Sequence, residues 1–125
     1  MIAKVLIVDD SGLARRLTRQ FLEELGHSVE EATDGAQALE RYVLNRHDVV
    51  VLDMVMHGMY GLDVLVKLLE LNPKLAVLVV TADIQKTTRE QVQAAGAAGI
   101  IHKPLKREDL AAALETVLGG GTLWN

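Results

Sequence analysis

The sequence predicts an α/β fold in which a parallel sheet of five strands is covered by helices on both faces. Short apolar runs alternate with longer stretches whose apolar residues recur at helical spacing. The short runs are uniformly apolar rather than alternating, as expected of strands that are buried on both faces. The length of 125 residues is close to that of one domain. These three observations favour a single α/β domain.

Local signals assign the strands and helices in chain order. The run Val5–Val8 is β-branched and ends at two aspartates, which is typical of a buried strand. Leu13–Leu25 carries apolar residues at helical spacing, and Gly26 after it is a common residue beyond a helix end. Asp34 before Gly35 is a suitable helix cap. The predicted strands are residues 5–8, 28–32, 48–53, 75–80 and 99–103, and the predicted helices are residues 13–25, 36–45, 61–71, 85–95 and 108–118.

The second half of the chain contains two prolines that mark boundaries. Pro73 follows the end of the helix that begins at Gly61, because the residue before a proline disfavours helical backbone. Pro104 ends the last strand. Residues 119–125 begin with three glycines and are predicted to be a flexible C-terminal tail or the start of a linker, with the single tryptophan disordered in it. Residues 1–118 are therefore assigned to the domain.

Composition and charge exclude several classes of protein. The formal net charge of −4 is a poor match for binding nucleic acid through its phosphates. The absence of cysteine excludes disulfide scaffolds, thiolate zinc sites and cysteine nucleophiles. No apolar run approaches the roughly 20 residues of a membrane-spanning helix, and the N-terminal residues do not resemble a signal peptide. We expect a cytoplasmic protein without direct nucleic-acid binding or membrane insertion.

Polar residues follow four of the five predicted strands. In an open parallel sheet, ligands bind beyond the carboxyl ends of the strands, where the strand order reverses. The residues at these ends are Asp9 and Asp10 after the first strand, Asp53 after the third, Thr81 after the fourth and Lys103 after the fifth. The sequence therefore predicts that three carboxylates, one hydroxyl and one ammonium group meet at one edge of the sheet.

This set of side chains indicates phosphoryl chemistry on a carboxylate. Carboxylates within a few ångström repel one another unless a cation joins them. Hard oxygen ligands suit Mg²⁺, which accepts one or two carboxylates and retains several waters. Lys103 offers a compact positive charge to a phosphoryl oxygen, and Thr81 offers a hydroxyl donor to another. The pattern favours phosphoryl transfer to or from a carboxylate.

At these residues the chain resembles the receiver domains of two-component response regulators, the CheY-like domains. The resemblance extends from about Ala3 to Leu118 and rests on several short motifs that occur in the right order. The motifs are Asp9-Asp10, Asp53 with Met56 and Gly61 after it, Thr81-Ala82, Gly96-Ala97, and Lys103-Pro104. The resemblance implies a flavodoxin-like, doubly wound sheet of strand order 2-1-3-4-5.

The resemblance also implies roles for the acidic residues. Asp53 would accept a phosphoryl group from the phosphohistidine of a kinase and form an acyl phosphate. Asp10, Asp53 and the backbone carbonyl of Val55 would bind Mg²⁺ directly, and Asp9 would act mostly through a water. The implied domain catalyses its own phosphotransfer and autodephosphorylation, and we class it as a signalling domain rather than an enzyme.

Partners and switching residues are implied in the same way. Lys103 would contact the phosphoryl group, Thr81 would swing toward it, and the Lys103–Pro104 bond would be cis. The implied partners are a histidine kinase or phosphotransfer protein and a downstream output protein or domain. The implied oligomeric state is a monomer or a weak, phosphorylation-dependent dimer. Read-out is expected on the face formed by the fourth helix, the fifth strand and the fifth helix.

Two positions depart from the family pattern, and two others are expected to affect the lifetime of the acyl phosphate. The family usually has a proline four residues after the phosphoacceptor, where this chain has His57. The family's switch aromatic, three residues before the lysine, is replaced by Ile100. Val55 and Asp83 lie two residues after the predicted phosphoacceptor and hydroxyl, and are expected to influence the lifetime of the acyl phosphate, with Asp83 able to orient a water.

Three alternative functions remain open on the residues. A phosphatase of the dehalogenase type would need Asp-x-Asp at a strand end, and Val55 stands where its second aspartate would be. A flavodoxin would need a Ser/Thr/Gly-rich phosphate loop after the first strand, where this chain has Asp9-Asp10-Ser11-Gly12. A pseudo-receiver would bind partners without phosphorylation, but it commonly lacks a carboxylate or the lysine. Whether the chain stands alone or belongs to a longer protein is left open.

Overall fold

The computed structural model describes residues 2–56 and 59–124, without the side chain of Met59. The strands are β1 (Lys4–Val8), β2 (Ser28–Ala32), β3 (Val49–Asp53), β4 (Val55–Met56), β5 (Met59–Tyr60), β6 (Ala76–Thr81) and β7 (Gly99–His102). The helices are α1 (Gly12–Glu24), α2 (Gly35–Asn45), α3 (Gly61–Leu71), α4 (Lys86–Ala95) and α5 (Arg107–Leu118). All ten predicted elements are present, with ends within one residue of those predicted. No helix in the described ranges is both long and apolar enough to cross a membrane.

Five strands form one parallel sheet in the order β2-β1-β3-β6-β7. The short strands β4 and β5 pair only with each other, as an antiparallel ribbon. Without that ribbon in the count, the order of the main sheet is the predicted 2-1-3-4-5. The direction of winding reverses at β1, which pairs with β2 on one side and β3 on the other. This reversal allows helices to cover both faces.

Apolar side chains form a core on each face of the sheet. On one face, α2, α3 and α4 cover the sheet through residues such as Tyr42, Leu68 and Val92. On the other face, α1 and α5 cover it through residues such as Leu22 and Leu114. Each central strand contributes to both cores, because successive side chains point to opposite faces. This burial on both faces explains why the strand sequences are uniformly apolar.

An antiparallel ribbon of β4 and β5 connects β3 to α3. Val55 pairs with Tyr60 in this ribbon. The amide of Gly61 donates to the carbonyl of Met54 at 2.7 Å, which closes the connection at its base. A Cβ on Gly61 would lie only 2.6 Å from the backbone oxygen of Asp53, so this close approach requires glycine. His57, the position of the family proline, lies outside the described residues.

The residues after α5 differ from the flexible tail that the glycines predict. The amide of Leu123 donates to the carbonyl of Ala98 at 2.8 Å, and the indole Nε1 of Trp124 donates to the carbonyl of Ala97 at 2.7 Å. Leu123 packs on one core and Trp124 on the other. We call residues 121–124 the strap. The glycines allow the chain to turn back, and the two apolar side chains after them hold it on the domain.

Candidate functional site

Three carboxylates meet at the carboxyl edge of the sheet, as predicted. Asp9 and Asp10 directly follow β1, and Asp53 ends the adjacent strand β3. Each offers a carboxylate oxygen, and these oxygens lie within 4.8 Å of one another. Asp9 and Asp53 are buried, and Asp10 is half-buried. The adjacency of β1 and β3 in the sheet therefore brings together residues that are more than forty positions apart in the chain.

The surroundings of Asp53 disfavour its negative charge. Burial and the nearby charge of Asp9 raise the pKa of its carboxyl group above the ordinary value of 3.8. The ammonium of Lys103, 3.2 Å from its Oδ1, and a hydrogen bond from the amide of Val55 oppose that rise. The ammonium of Lys103 thus only partly offsets the effects of burial and of Asp9 on Asp53. The site favours the addition of positive charge, as a metal ion would provide.

Backbone and side-chain bonds fix the loop that carries the acidic pair. The amide of Ser11 donates to Oδ1 of Asp9 at 2.9 Å, and the hydroxyl of Ser11 caps α1 by accepting from the amide of Ala14. Arg15 donates to the carbonyl oxygen of Asp9 at 2.8 Å and pairs with Glu31 on β2 at 3.0 Å. Sequence reasoning missed this role of Arg15, whose position on an arginine-rich helix resembles an ordinary solvated face.

Thr81 ends β6 beside the carboxylates, and its surroundings explain its orientation. The amide of Asp83 donates to the hydroxyl oxygen of Thr81 at 3.1 Å. The backbone of Lys103 donates to the carbonyl of Thr81 at 2.9 Å, which joins the ends of β6 and β7. The Lys103–Pro104 bond is cis, as the resemblance implied. The predicted hydroxyl and ammonium groups therefore belong to adjacent strand ends on the same edge.

The carboxylate of Asp83 is held by the first turn of α4. Its Oδ1 accepts from the amide of Gln85 at 2.8 Å, and its Oδ2 accepts from the hydroxyl of Thr88 at 2.6 Å. The hydrogen bond from Thr88, followed by that from Gln85, lowers the pKa of Asp83 below 3.8. Both carboxylate oxygens are engaged at the start of α4. The expectation that Asp83 orients a water stays a prediction, with the remaining lone pairs of these oxygens as its means.

A cavity of about 220 Å³ opens beside the carboxylates, between α1, the sheet and the segment that follows β7. Asp9, Asp53 and Lys103 line its polar side. Ala14 and Leu17 of α1 line its apolar side, where Leu17 is partly exposed. An incoming group can therefore reach the carboxylates from solvent beside α1.

The donor set fits a magnesium ion. Carboxylate oxygens are hard ligands, and three of them lie close enough to share one ion. Asp9, Asp10 and Asp53 would hold it, and Val55 follows Asp53 closely enough in the chain to add a backbone carbonyl. A bound divalent ion would offset the mutual repulsion of the carboxylates and the negative charge of a phosphoryl group.

Comparison with known proteins identifies the family. Residues 5–115 match the model of the response regulator receiver domain. The chain belongs to this family. Response regulator MprA of Mycobacterium sp. (strain KMS) is 37% identical over 118 residues, which are 94% of this chain and 51% of that protein. The receiver-domain chain thus spans about half the length of this curated relative.

Solved structures agree with this assignment. Chemotaxis protein CheY4 of Vibrio cholerae superposes with a TM-score of 0.88 at 31% identity, over 92% of this chain and 98% of that one. A two-component response regulator of the LuxR family from Aurantimonas sp. superposes with a TM-score of 0.92 at 26% identity, over 98% and 89% of the two chains. The receiver domain therefore resembles proteins that it matches almost end to end as well as proteins that are much longer.

Proposed function

We propose that this receiver domain is switched by phosphorylation of Asp53, with Mg²⁺ held by Asp9, Asp10, Asp53 and the carbonyl of Val55. The observation that carries the proposal is the position of Asp53. It ends a central strand, lies within 4.8 Å of the acidic pair and lies 3.2 Å from the ammonium of Lys103. A carboxylate nucleophile, a cation site and a lysine are the parts needed to accept a phosphoryl group.

Each further residue has a stated role in the proposal. Attack by a carboxylate oxygen of Asp53 on the phosphorus of a phosphohistidine would form the acyl phosphate and release the imidazole. Lys103 would bind one phosphoryl oxygen and the hydroxyl of Thr81 another. When bound, Mg²⁺ would supply charge that stabilises the transferring group. The raised pKa of the Asp53 carboxyl group, caused by burial and by Asp9, indicates that added positive charge would stabilise its ionised form.

Family membership supports the proposed partners and location. A histidine kinase or phosphotransfer protein would donate the phosphoryl group beside α1, where Leu13 and Leu17 are exposed and the cavity opens. A downstream output protein or domain would respond on the face formed by α4, β7 and α5. The protein would act in the cytoplasm as a monomer or a weak phosphorylation-dependent dimer, without direct nucleic-acid contact by this domain.

Intact mass spectrometry tests the proposal directly. Incubation with Mg²⁺ and acetyl phosphate should add about 80 Da, the mass of one phosphoryl group transferred to a carboxylate. Asp53→Asn should remove this adduct, because the amide is a poor nucleophile.

Asp83→Asn is the matched control. This variant neutralises a carboxylate that lies near the pocket but binds the start of α4, so the adduct should persist. An adduct that survives in Asp53→Asn would show that another residue is the acceptor. No adduct in the unaltered protein, with Mg²⁺ and excess donor, would favour a pseudo-receiver.

A further inference from the structure

The strap covers the start of the outer edge of β7, at Ala97, Ala98 and Gly99. Two hydrogen bonds anchor it, from Leu123 to Ala98 and from the indole of Trp124 to Ala97. The side chain of Leu123 occupies the space beside Gly99, where an added Cβ would lie 2.4 Å from Leu123 Cγ and Cδ1. An edge strand offers unpaired backbone groups to other chains unless something covers it. Here the chain's own C-terminal residues provide the cover.

The strap also contacts α4 through its aromatic ring. The guanidinium carbon of Arg89 lies 5.1 Å from the centroid of the Trp124 ring, within the range of a cation–π interaction. Arg89 is exposed on α4, and Trp124 is half-buried against the core beneath that helix. A displacement of α4 would therefore change the packing of Trp124.

Hydrogen bonds of Asp83 connect the first turn of α4 to the candidate site. The side chain of Gln85, the residue before the helix, makes no capping hydrogen bond. The carboxylate of Asp83 caps the helix in its place, since it accepts from the amide of Gln85 and from the hydroxyl of the buried Thr88. The amide of the same aspartate donates to the hydroxyl oxygen of Thr81. Asp83 thus links the proposed switch hydroxyl to the residue next to Arg89.

We propose that the strap senses phosphorylation and is released from the β7 edge when Thr81 turns toward the phosphoryl group. The turn would remove the acceptor of the Asp83 amide, shift the first turn of α4 and weaken the contact of Arg89 with Trp124. Release would uncover the carbonyls of Ala97 and Ala98. The inference rests on the proposed function, since it takes the phosphoryl group as the trigger.

The fluorescence of Trp124 tests the release, because it is the only tryptophan in the chain. Beryllofluoride with Mg²⁺, a phosphoryl mimic, should shift its emission to the red and raise its acrylamide quenching constant about twofold, since the mimic favours the released state. Amide chemical shifts of Asp53 and Lys103 in the same sample report whether the mimic occupies the pocket. Occupancy without a change at Trp124 would overturn the strap proposal and leave the proposed function intact. No occupancy would overturn both.

Two threonine variants test the connection through α4. Thr88→Val keeps the size of the side chain and removes its bond to Asp83, so the Trp124 response should fall by more than about half while pocket occupancy persists. Thr18→Val is the control, because Thr18 is a buried helical threonine that bonds within its own helix, to Ala14. An equal response in both variants would show that the Thr88–Asp83 bond does not couple the two sites.

Two glycine variants test the anchoring of the strap without any ligand. Gly99→Ala places a methyl group where Leu123 lies, so Trp124 should be quenched in the resting protein as strongly as in the mimic-bound protein. Gly12→Ala adds a methyl group where the nearest atom, on Arg15, is 3.7 Å away, and should leave Trp124 unchanged. A resting spectrum in Gly99→Ala equal to that of the unaltered protein would overturn the proposed anchoring.

Discussion

The charged side chains at the two ends of the sheet differ in the contacts that they make. At the amino end, Glu30 accepts from the ring of His47 at 2.7 Å and from the amide of Asn45 at 2.9 Å, and Lys4 donates to the carbonyl of Asn45. At the carboxyl end, Asp9, Asp10 and Asp53 offer carboxylate oxygens within 4.8 Å of one another, and the ammonium of Lys103 lies 3.2 Å from Asp53. Glu30 is thus held by donors at the amino end, which we call the paired end, whereas carboxylates lie close to one another at the carboxyl end, which we call the crowded end.

The same contrast is found in the pKa values of two carboxyl groups, one from each end of the sheet. The pKa of Glu30 is lowered: burial alone would raise it, but the hydrogen bonds from His47 and Asn45 outweigh burial. The pKa of Asp53 is raised, because burial and Asp9 outweigh Lys103. The hydrogen bonds at the paired end stabilise the fold, whereas the crowding of carboxylates at the other end lowers its stability. Under the proposed function, this cost accompanies an affinity for cations and phosphoryl groups.

The largest expected effect concerns the backbone beneath the crowded end. Gly61→Ala should destabilise the domain by about 2–4 kcal/mol, because the added methyl group meets backbone atoms of Asp53 and Met54 that cannot move independently. Gly12→Ala, in ordinary contact with Arg15, should be neutral or slightly stabilising. Urea unfolding of both variants measures the difference, and equal stabilities would show that the ribbon base tolerates a side chain.

The next largest effect is the stabilisation of the fold by Mg²⁺, which should depend only on residues at the carboxyl end of the sheet. At ten times its dissociation constant, Mg²⁺ should stabilise the folded protein by about 1.4 kcal/mol by mass action. Asp10→Asn should remove most of this gain, whereas Glu30→Gln at the other end should retain it. Melting temperatures with and without millimolar Mg²⁺ give the comparison. A gain that survives in Asp10→Asn would exclude Asp10 as a ligand.

Asp53→Asn should stabilise the metal-free protein by about 1 kcal/mol near pH 7, because it removes a disfavoured charge. The folded state holds the proton of Asp53 more tightly than the unfolded chain does. The resulting stability is present below pH 3.8 and is lost as the pH rises through the raised pKa. In unfolding experiments with EDTA, the free energy of unfolding of Asp53→Asn should therefore exceed that of the unaltered protein by a margin that grows from pH 4 upward. A margin that does not change with pH would contradict the raised pKa of Asp53.

Glu30→Gln should have the smallest effect and the opposite dependence on pH. The lowered pKa of Glu30 means that its contribution is present above 4.5 and is lost as the pH falls through the folded value. Because 36% of the side chain is exposed, solvent screening limits the loss near pH 7 to about 0.5 kcal/mol. The variant and the unaltered protein should converge toward pH 3. Divergence there would show that Glu30 stabilises the fold by a route other than its charge.

The sequence predicted the elements and the crowded end because both depend on short-range patterns and on sheet adjacency. Uniform apolar runs located the strands, and an aspartate after each of two adjacent strands located the cluster. The orientation of Asp83 was not predictable in that way, because it depends on a rotamer chosen by Gln85 and Thr88. The strap was missed because a run of glycines suggests flexibility and gives no sign of the docking of Leu123 and Trp124.

The hydrogen bond from Gly61 to Met54 has a consequence for the divergence of such domains. It joins Met54 to Gly61, the two ends of the connection that follows Asp53, and we call residues 55–60 of this connection the ring. Insertions, deletions or substitutions within that ring need not move the carboxylate, because the bond at its base fixes Asp53 independently. Evolution can therefore alter the sequence of this connection while the position of Asp53 stays the same. The replacement of the family's proline by His57 is a change of this kind.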